Sequence, residues 1–173
     1  MEFTLCPGIR LGTGTFNVIV ADERLLVAVL NASPELQRFM FLYICGSYSR
    51  ILPAIDASSA DFDVRRALTA GQLLTVIKEA YHTIVVVEHD PSVYEGGADM
   101  AGPVASALKE VSREALVILS ACRQDFLLNR LMRPADRVFH FTGFPAPARA
   151  TAGSPVYRDH TLYEVPQRVP EGI

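Results

Sequence analysis

The chain has 173 residues, half of them hydrophobic and 20% charged, with a formal net charge of −3. That length and balance predict one globular domain around a single core and exclude wholesale disorder. The slight acidity excludes a grip on nucleic acid dominated by overall charge, although a local basic patch stays open.

The longest apolar runs, Ile84–Val87 and Phe39–Cys45, are too short to cross a bilayer, so no membrane partner is expected. Met1-Glu2-Phe3-Thr4 lacks the basic stretch and apolar run of a secretory leader. Cys6, Cys45 and Cys122 are far apart, odd in number and free of C-x-x-C spacing. Reduced thiols and a cytoplasmic location are the expectation. Lys78 and Lys109 are the only lysines, a bias that reads as genome composition.

Strands alternate with helices along the chain. The pattern predicts an α/β fold of three layers, with a mostly parallel central sheet and helices on both faces. Phe16–Ala21 is a Val/Ile-rich buried strand. A helix follows from Glu23, with Asp22 as N-cap and Leu25, Leu26, Val29 and Leu30 as its apolar face. Pro34 kinks this helix or opens a new turn capped by Ser33. Phe39–Cys45 is a second buried strand, stopped by Gly46. Residues 47–61 read as a loop with one helical turn.

Phe62–Arg66 reads as a short strand. Thr69-Ala70-Gly71-Gln72 has the form of a capping box and opens a helix to about Ala80. Thr83–Val87 is the clearest buried strand. Pro91–Gly102 is a loop, and Pro103 opens a helix to about Arg113. Ala115–Ala121 is a strand, Gln124–Met132 a short helix, and Arg137–Thr142 a strand whose alternation suits a sheet edge. After Gly143 the Pro/Gly-rich texture predicts a linker, then a hairpin of Val156–Arg158 and Thr161–Val165 turned at Asp159-His160. The tail 166–173 is expected to fray.

Three stretches invite a chemical reading. The first is the strand–helix junction in "NVIVADERLL", residues 17–26, where many α/β proteins carry a phosphate loop. Such a loop needs glycines for the backbone wrap and a lysine for the phosphate charge. No G-x-x-x-x-G-K-[ST] occurs in this chain, and Gly12-Thr13-Gly14 precedes the strand rather than following it. Asp22 and Glu23 suit the helix dipole and repel a triphosphate, so a plain strand–helix turn is the ordinary reading.

The second is "HTIVVVEHDPSVYE", residues 82–95. An apolar strand ending in Glu88-His89-Asp90 has the outline of a Walker B element, whose acid holds Mg²⁺ or a water. Glu88, His89, Asp90 and Glu95 also have the donor types of a small metal site, but a solvated strand end with an Asp-Pro turn is favoured. The third is Arg123, Arg130, Arg133 and Arg137, interleaved with Asp125 and Asp136. It reads first as a solvated helix face with surface ion pairs, as does Arg65-Arg66. No nucleophilic triad is apparent. Ser120 lacks the G-x-S-x-G elbow, and Cys122, even with His140 nearby, reads as packing.

The order of these elements resembles the RecA/RadA/RadB recombinase ATPase core over about residues 12–142. The resemblance rests on the strand entering a helix at 16–26, on "FDVRRALTAGQLLTVI", on "TIVVVEHD", and on the later strands "LVILSA" and "ADRVFHF". It implies a RecA-like, P-loop NTPase-like fold. It sets Ala21–Leu25 where the family has its Gly-Lys-Thr loop, with Asp22 and Glu23 at that position, and Glu88 or Asp90 as the Walker B acid. It also places partner or nucleic-acid contacts near Arg123, Arg130, Arg133 and Arg137.

Without the lysine and glycines, ATP turnover is not expected, no cofactor is expected, and bound Mg·ATP is disfavoured. The leading expectation is a non-catalytic paralogue that binds a protein partner or a second copy of itself, in DNA repair or regulation. Two rivals remain. One is a Mg·nucleotide enzyme with a different phosphate cradle. The other is an accessory protein with weak nucleic-acid contact.

Overall fold

A computed structural model of the chain describes residues 2–6, 9–33, 38–56, 61–141 and 162–164. Two antiparallel strands come first, β1 (Glu2–Cys6) and β2 (Ile9–Gly12). Both alternate polar and apolar residues, the period of a half-buried strand, and neither was among the expected elements. The chain then alternates through β3 (Thr15–Val20), α1 (Glu23–Asn31), β4 (Phe41–Cys45), β5 (Phe62–Arg66), α2 (Ala70–Lys78) and β6 (Ile84–Glu88). It continues with α3 (Ala101–Val111), β7 (Leu116–Ala121), α4 (Phe126–Leu131), β8 (Arg137–Phe141) and β9 (Leu162–Glu164).

The main sheet has the order β5-β4-β6-β7-β3-β8-β9. The strands from β5 to β8 are parallel, and β9 adds antiparallel to β8. This is the three-layer α/β fold that the alternation predicts. β3, β4, β6 and β7 are near-continuous apolar runs because each faces a layer on both sides. One core cluster joins Phe16, Val18, Ile44, Val85 and Leu119 to the α2, α3 and α4 residues Leu73, Ile77, Leu108 and Leu128. The other joins Ile19, Phe41, Tyr43, Val86 and Ile118 to Leu26 and Leu30 of α1, with Leu11 of β2. From β3 the chain crosses one face to β4, then returns along the opposite face through α2, α3 and α4. Right-handed crossovers require that change of face when the direction of travel reverses.

Local signals hold with small shifts. Asp22 caps α1 by accepting from the Arg24 N–H at 2.9 Å. Thr69 caps α2 by accepting from the Gln72 N–H at 3.2 Å, but the Gln72 side chain accepts from the Leu68 N–H at 2.8 Å. The expected reciprocal box is therefore displaced by one residue. α3 begins at Ala101 because the 3-10 turn Ala98–Met100 runs straight into it, which puts Pro103 inside the first turn, where no backbone donor is needed. Gly12-Thr13-Gly14 is the turn between β2 and β3, and Gly14 there has φ of +85°, a conformation only glycine adopts freely.

β8 is not the sheet edge that its alternation suggested, since β9 pairs outside it. Of the expected terminal hairpin only Leu162–Glu164 belongs to the described residues. The Pro34 kink, the Gly143–Pro155 linker, the strand at 156–158 and the tail lie outside them. Asp136, just before β8, ties three elements together. It accepts from the Phe16 N–H at 2.7 Å and from Lys109 of α3, and its own N–H donates to Phe16 O at 2.8 Å.

Candidate functional site at the carboxyl edge of the sheet

In an open parallel sheet, ligands gather where neighbouring strands send the chain to opposite faces. Here β3 leads to α1 on one face, while its neighbour β7 leads to α4 on the other. The carboxyl ends of β3, β7, β6 and β4 bring Asp22, Glu23, Cys122, Glu88, His89, Asp90, Cys45 and Gly46 to one edge. The two acid-bearing stretches singled out from the sequence therefore share an edge, separated by β7.

The β3–α1 junction is a two-residue turn, Ala21-Asp22. The Asp22 carboxylate takes the Arg24 amide, and the backbone Ala21 N–H donates to Ala121 O at 2.9 Å. Glu23 lies 3.5 Å from Arg50 and accepts from the Cys122 thiol at 3.6 Å. A phosphate cradle works by free, converging amides at a helix start. Here that start is occupied by the chain's own carboxylate. The Cys122 thiol reports the local field. It is pushed up to about 11 by partial burial of the thiol, then by Glu23, Glu88 and Asp22. Glu23, Glu88 and Asp22 thus act against the thiolate alongside burial, while Arg50 stands beside Glu23.

At the end of β6 the acids are held from inside. Glu88 accepts from the Tyr43 hydroxyl at 2.8 Å and from the Ser49 hydroxyl. Burial, then the Glu88 charge, push the Tyr43 hydroxyl well above its ordinary value. Asp90 accepts from the Ser92 N–H at 2.9 Å and the Ser92 hydroxyl at 2.7 Å. Gly46 backs directly onto Asp90: a Cβ there would come within 2.1 Å of its Oδ2. Arg66 donates to Ser47 O at 2.9 Å.

His89 has a side chain only 3% exposed, with Nε2 at 2.8 Å from Asp125 Oδ2. Its Nδ1 is buried without a partner among the described residues. The hollow beside it, lined by Cys45, Gly46, Asp90 and Tyr94, is about 10 Å³, the size of one water. A larger hollow of about 480 Å³ opens at the opposite, amino edge, between Ala80–Thr83 and Glu110–Ala115.

Glu88, His89, Asp90 and Glu95 do not converge. Among the described residues no three His, Cys, Asp or Glu side chains are placed to share a metal ion. The four arginines are also spread out. Arg123 follows β7 at the carboxyl edge, whereas Arg137 begins β8 at the amino edge and donates to Arg10 O at 3.0 Å. Arg130 donates to Ala98 O at 3.0 Å, and Arg133 lies on the surface after α4. Sequence reasoning missed Tyr43 and Ser49 as partners of Glu88, and Asp125 as the partner of His89. Tyr43 lies mid-strand in β4, Ser49 in the loop after it and Asp125 at the cap of α4, positions that acquire meaning once the sheet order is known.

The fold and this edge define a parallel three-layer α/β domain with an acid-lined carboxyl edge. No protein-family model matches the chain. A protein of Archaeoglobus fulgidus described as uncharacterized is 29% identical over 125 residues, covering 72% of this chain. The chain spans 63% of that relative's length. Among solved structures, the flagellar accessory protein FlaH of Methanocaldococcus jannaschii is similar at a TM-score of 0.47 and 9% identity. The match covers 79% of this chain and 75% of that one. No helix among the described residues is long and apolar enough to cross a membrane.

Proposed function

We propose that this chain is a degenerate RecA-like domain that acts by binding a protein partner or a second copy of itself, without ATP turnover. The observation that carries the reading is the β3–α1 junction. Its two-residue turn is capped by Asp22, its first helical residue is Glu23, and both carboxylates act, after burial, to raise the neighbouring thiol. A nucleoside triphosphate would meet carboxylates where it needs amides and a cation. The strand order supports the RecA-like frame, since β6 with its terminal acid is set one strand away from β3 by β7. The setting in DNA repair or regulation comes from the sequence resemblance alone.

Isothermal calorimetry with Mg·ATP tests the reading. No heat of binding is expected, and no phosphate release. Micromolar binding abolished by Glu88→Ala would overturn it in favour of a nucleotide enzyme with another cradle.

A further inference from the structure

The two borders of the main sheet differ. At one, β9 covers β8; at the other, β5 pairs with β4 alone among the described residues. β5 reads Phe62-Asp63-Val64-Arg65-Arg66; no proline or bulge blunts this short edge, and its charges are of both signs, so they repel a partner strand in some registers and pair with it in others. Asp63 through Arg66 are exposed, Val64 at 40%.

The backbone direction of this strand can be read from its ends. Asp61 O accepts from the Phe41 N–H, and the Ala67 N–H donates to Cys45 O, both at 2.9 Å. Odd-numbered residues therefore turn their backbone groups toward β4. Phe62, Val64 and Arg66 direct theirs outward.

We propose that β5 pairs antiparallel with β5 of a second copy, on a two-fold axis at Val64, joining the two sheets. The outward groups of Val64 then bond those of Val64 of the second copy, and those of Phe62 and Arg66 bond each other across the axis. Asp63 falls opposite Arg65 of the second copy, and Arg65 opposite Asp63. These are non-hydrogen-bonded positions, where facing side chains come closest. Asp63 meets His82 through Oδ2, at 2.9 Å, and its side chain is half exposed.

Charge also selects the register. Moving the axis by one residue sets Asp63 against Asp63, or Arg65 against Arg65, and like charges directly opposite destabilise a ladder. Only the Val64 axis makes FDVRR self-complementary.

The surroundings fit a buried surface. Of the six large hydrophobic side chains exposed among the described residues, Met40, Tyr48, Val64, Leu68 and Tyr81 belong to β5 or to segments bordering it, and only Phe126 does not. Met40 immediately precedes β4, and Tyr48 follows Ser47, whose carbonyl receives Arg66. Tyr81 stacks on His82, the partner of Asp63.

The inference names a surface for the binding role above but does not depend on the loss of nucleotide binding. Calorimetry with Mg·ATP tests one, and sedimentation of the full chain over a concentration series tests the other. The wild-type chain is expected to form a dimer. Arg65→Asp, which sets Asp63 against an aspartate on both sides of the axis, is expected to weaken it roughly tenfold or more. Val64→Pro removes the central outward N–H and is tolerated at an edge strand, so it is expected to give a folded monomer. Asp63→Arg alone is expected to be monomeric, and its equimolar mixture with Arg65→Asp to restore a dimer. A wild-type monomer at every concentration would overturn the proposal. So would a dimer that survives both Arg65→Asp and Val64→Pro, or a mixture that stays monomeric. Thermal melts identify any variant that fails to fold, and if Asp63→Arg does, Arg65→Asp and Val64→Pro decide.

Discussion

At the end of β3, Asp22 is exposed and Glu23 half-buried, and they meet a helix amide, an exposed arginine and a thiol. At the end of β6, Glu88 and Asp90 are half-buried and held by hydroxyls and a backbone amide, against a glycine with no room for a side chain. The first pair sets a field; the second fixes a shape. The difference bears on function. A nucleotide site of the expected kind needs the first corner positive and open, and the second with an acid turned out to a metal. Here the first corner carries two carboxylates beside Arg50, and the second ties Glu88 to two hydroxyls and Asp90 to its own turn. Removing the fit at the β6 corner should cost folding energy, whereas changing a charge at the β3 corner should alter reactivity with little cost.

The largest effect is expected from Gly46→Ala. The new methyl would meet Asp90 Oδ2 at 2.1 Å, its Cγ at 3.0 Å and its Cβ at 3.2 Å. Asp90 cannot yield by rotating its tip alone, because its Cβ is also close and its carboxylate holds the turn at Ser92. Overpacking of this kind costs about 1–3 kcal/mol. Urea denaturation should show a loss of that size, and a smaller one in an Asp90→Ala background, because the two residues share one contact. Equal losses in both backgrounds would mean that Asp90 is not the obstacle.

Second in size is the acid limb of stability, set by Asp125. Burial pushes its carboxyl up. The Leu128 N–H, the His89 side chain and its charge, and the Leu127 N–H together outweigh that and hold it below its ordinary value. A carboxyl lowered in the folded state adds stability that is full above its unfolded value of about 4 and is lost as pH falls through the folded one. Asp125 also caps α4, accepting from the Leu128 N–H at 2.7 Å. Asn can cap as well, so Asp125→Asn should keep the helix start and lose the pH dependence. Thermal melts from neutral pH to about pH 2 should fall more steeply for the wild type than for Asp125→Asn. Parallel curves would rule out Asp125 as the titrating group.

Much of the fold was legible because the signals were local. Asp22 and Thr69 each lie just before an apolar periodic stretch, and each caps the helix that follows. β4, β6 and β7 betray themselves by apolar runs, which only strands covered on both faces require. The β1–β2 pair was overlooked although Phe3 and Leu5 alternate with Glu2 and Thr4, and Ile9 and Leu11 with Arg10 and Gly12. The site was legible only in half. Glu88 and Asp90 could be named from the strand end, and Asp90 takes its partner two residues on, but the partners of Glu88 lie 39 and 45 residues away in the chain and that of His89 lies 36 away. Those contacts depend on β4 lying beside β6 and on α4 starting under His89, and no single-sequence periodicity encodes a neighbour. The arginines mislead for the same reason. They are close in the chain, but a parallel sheet sends the end of β7 and the start of β8 to opposite edges.

The smallest effect is a rate at the β3 corner. Cys122 is an exposed residue whose thiol is raised to about 11 by partial burial and then by Glu23, which also accepts its hydrogen bond. The thiolate is the reactive form, so its fraction at pH 8 sets the alkylation rate. Glu23→Gln removes the strongest of the carboxylates acting on it and should speed reaction with iodoacetamide several-fold, with little change in melting temperature, since the Arg50 contact is a surface pair. Cys45 is buried and serves as the slow internal reference in the same digest. Arg24→Ala, on the same helix but outside the groups that act on the thiol, should leave the rate alone. An unchanged rate in Glu23→Gln would mean that burial alone holds the proton, and that the corner is closed by packing rather than by charge. That outcome would weaken the argument against phosphate, because packing can open on binding while two fixed carboxylates at a helix start cannot become a cation.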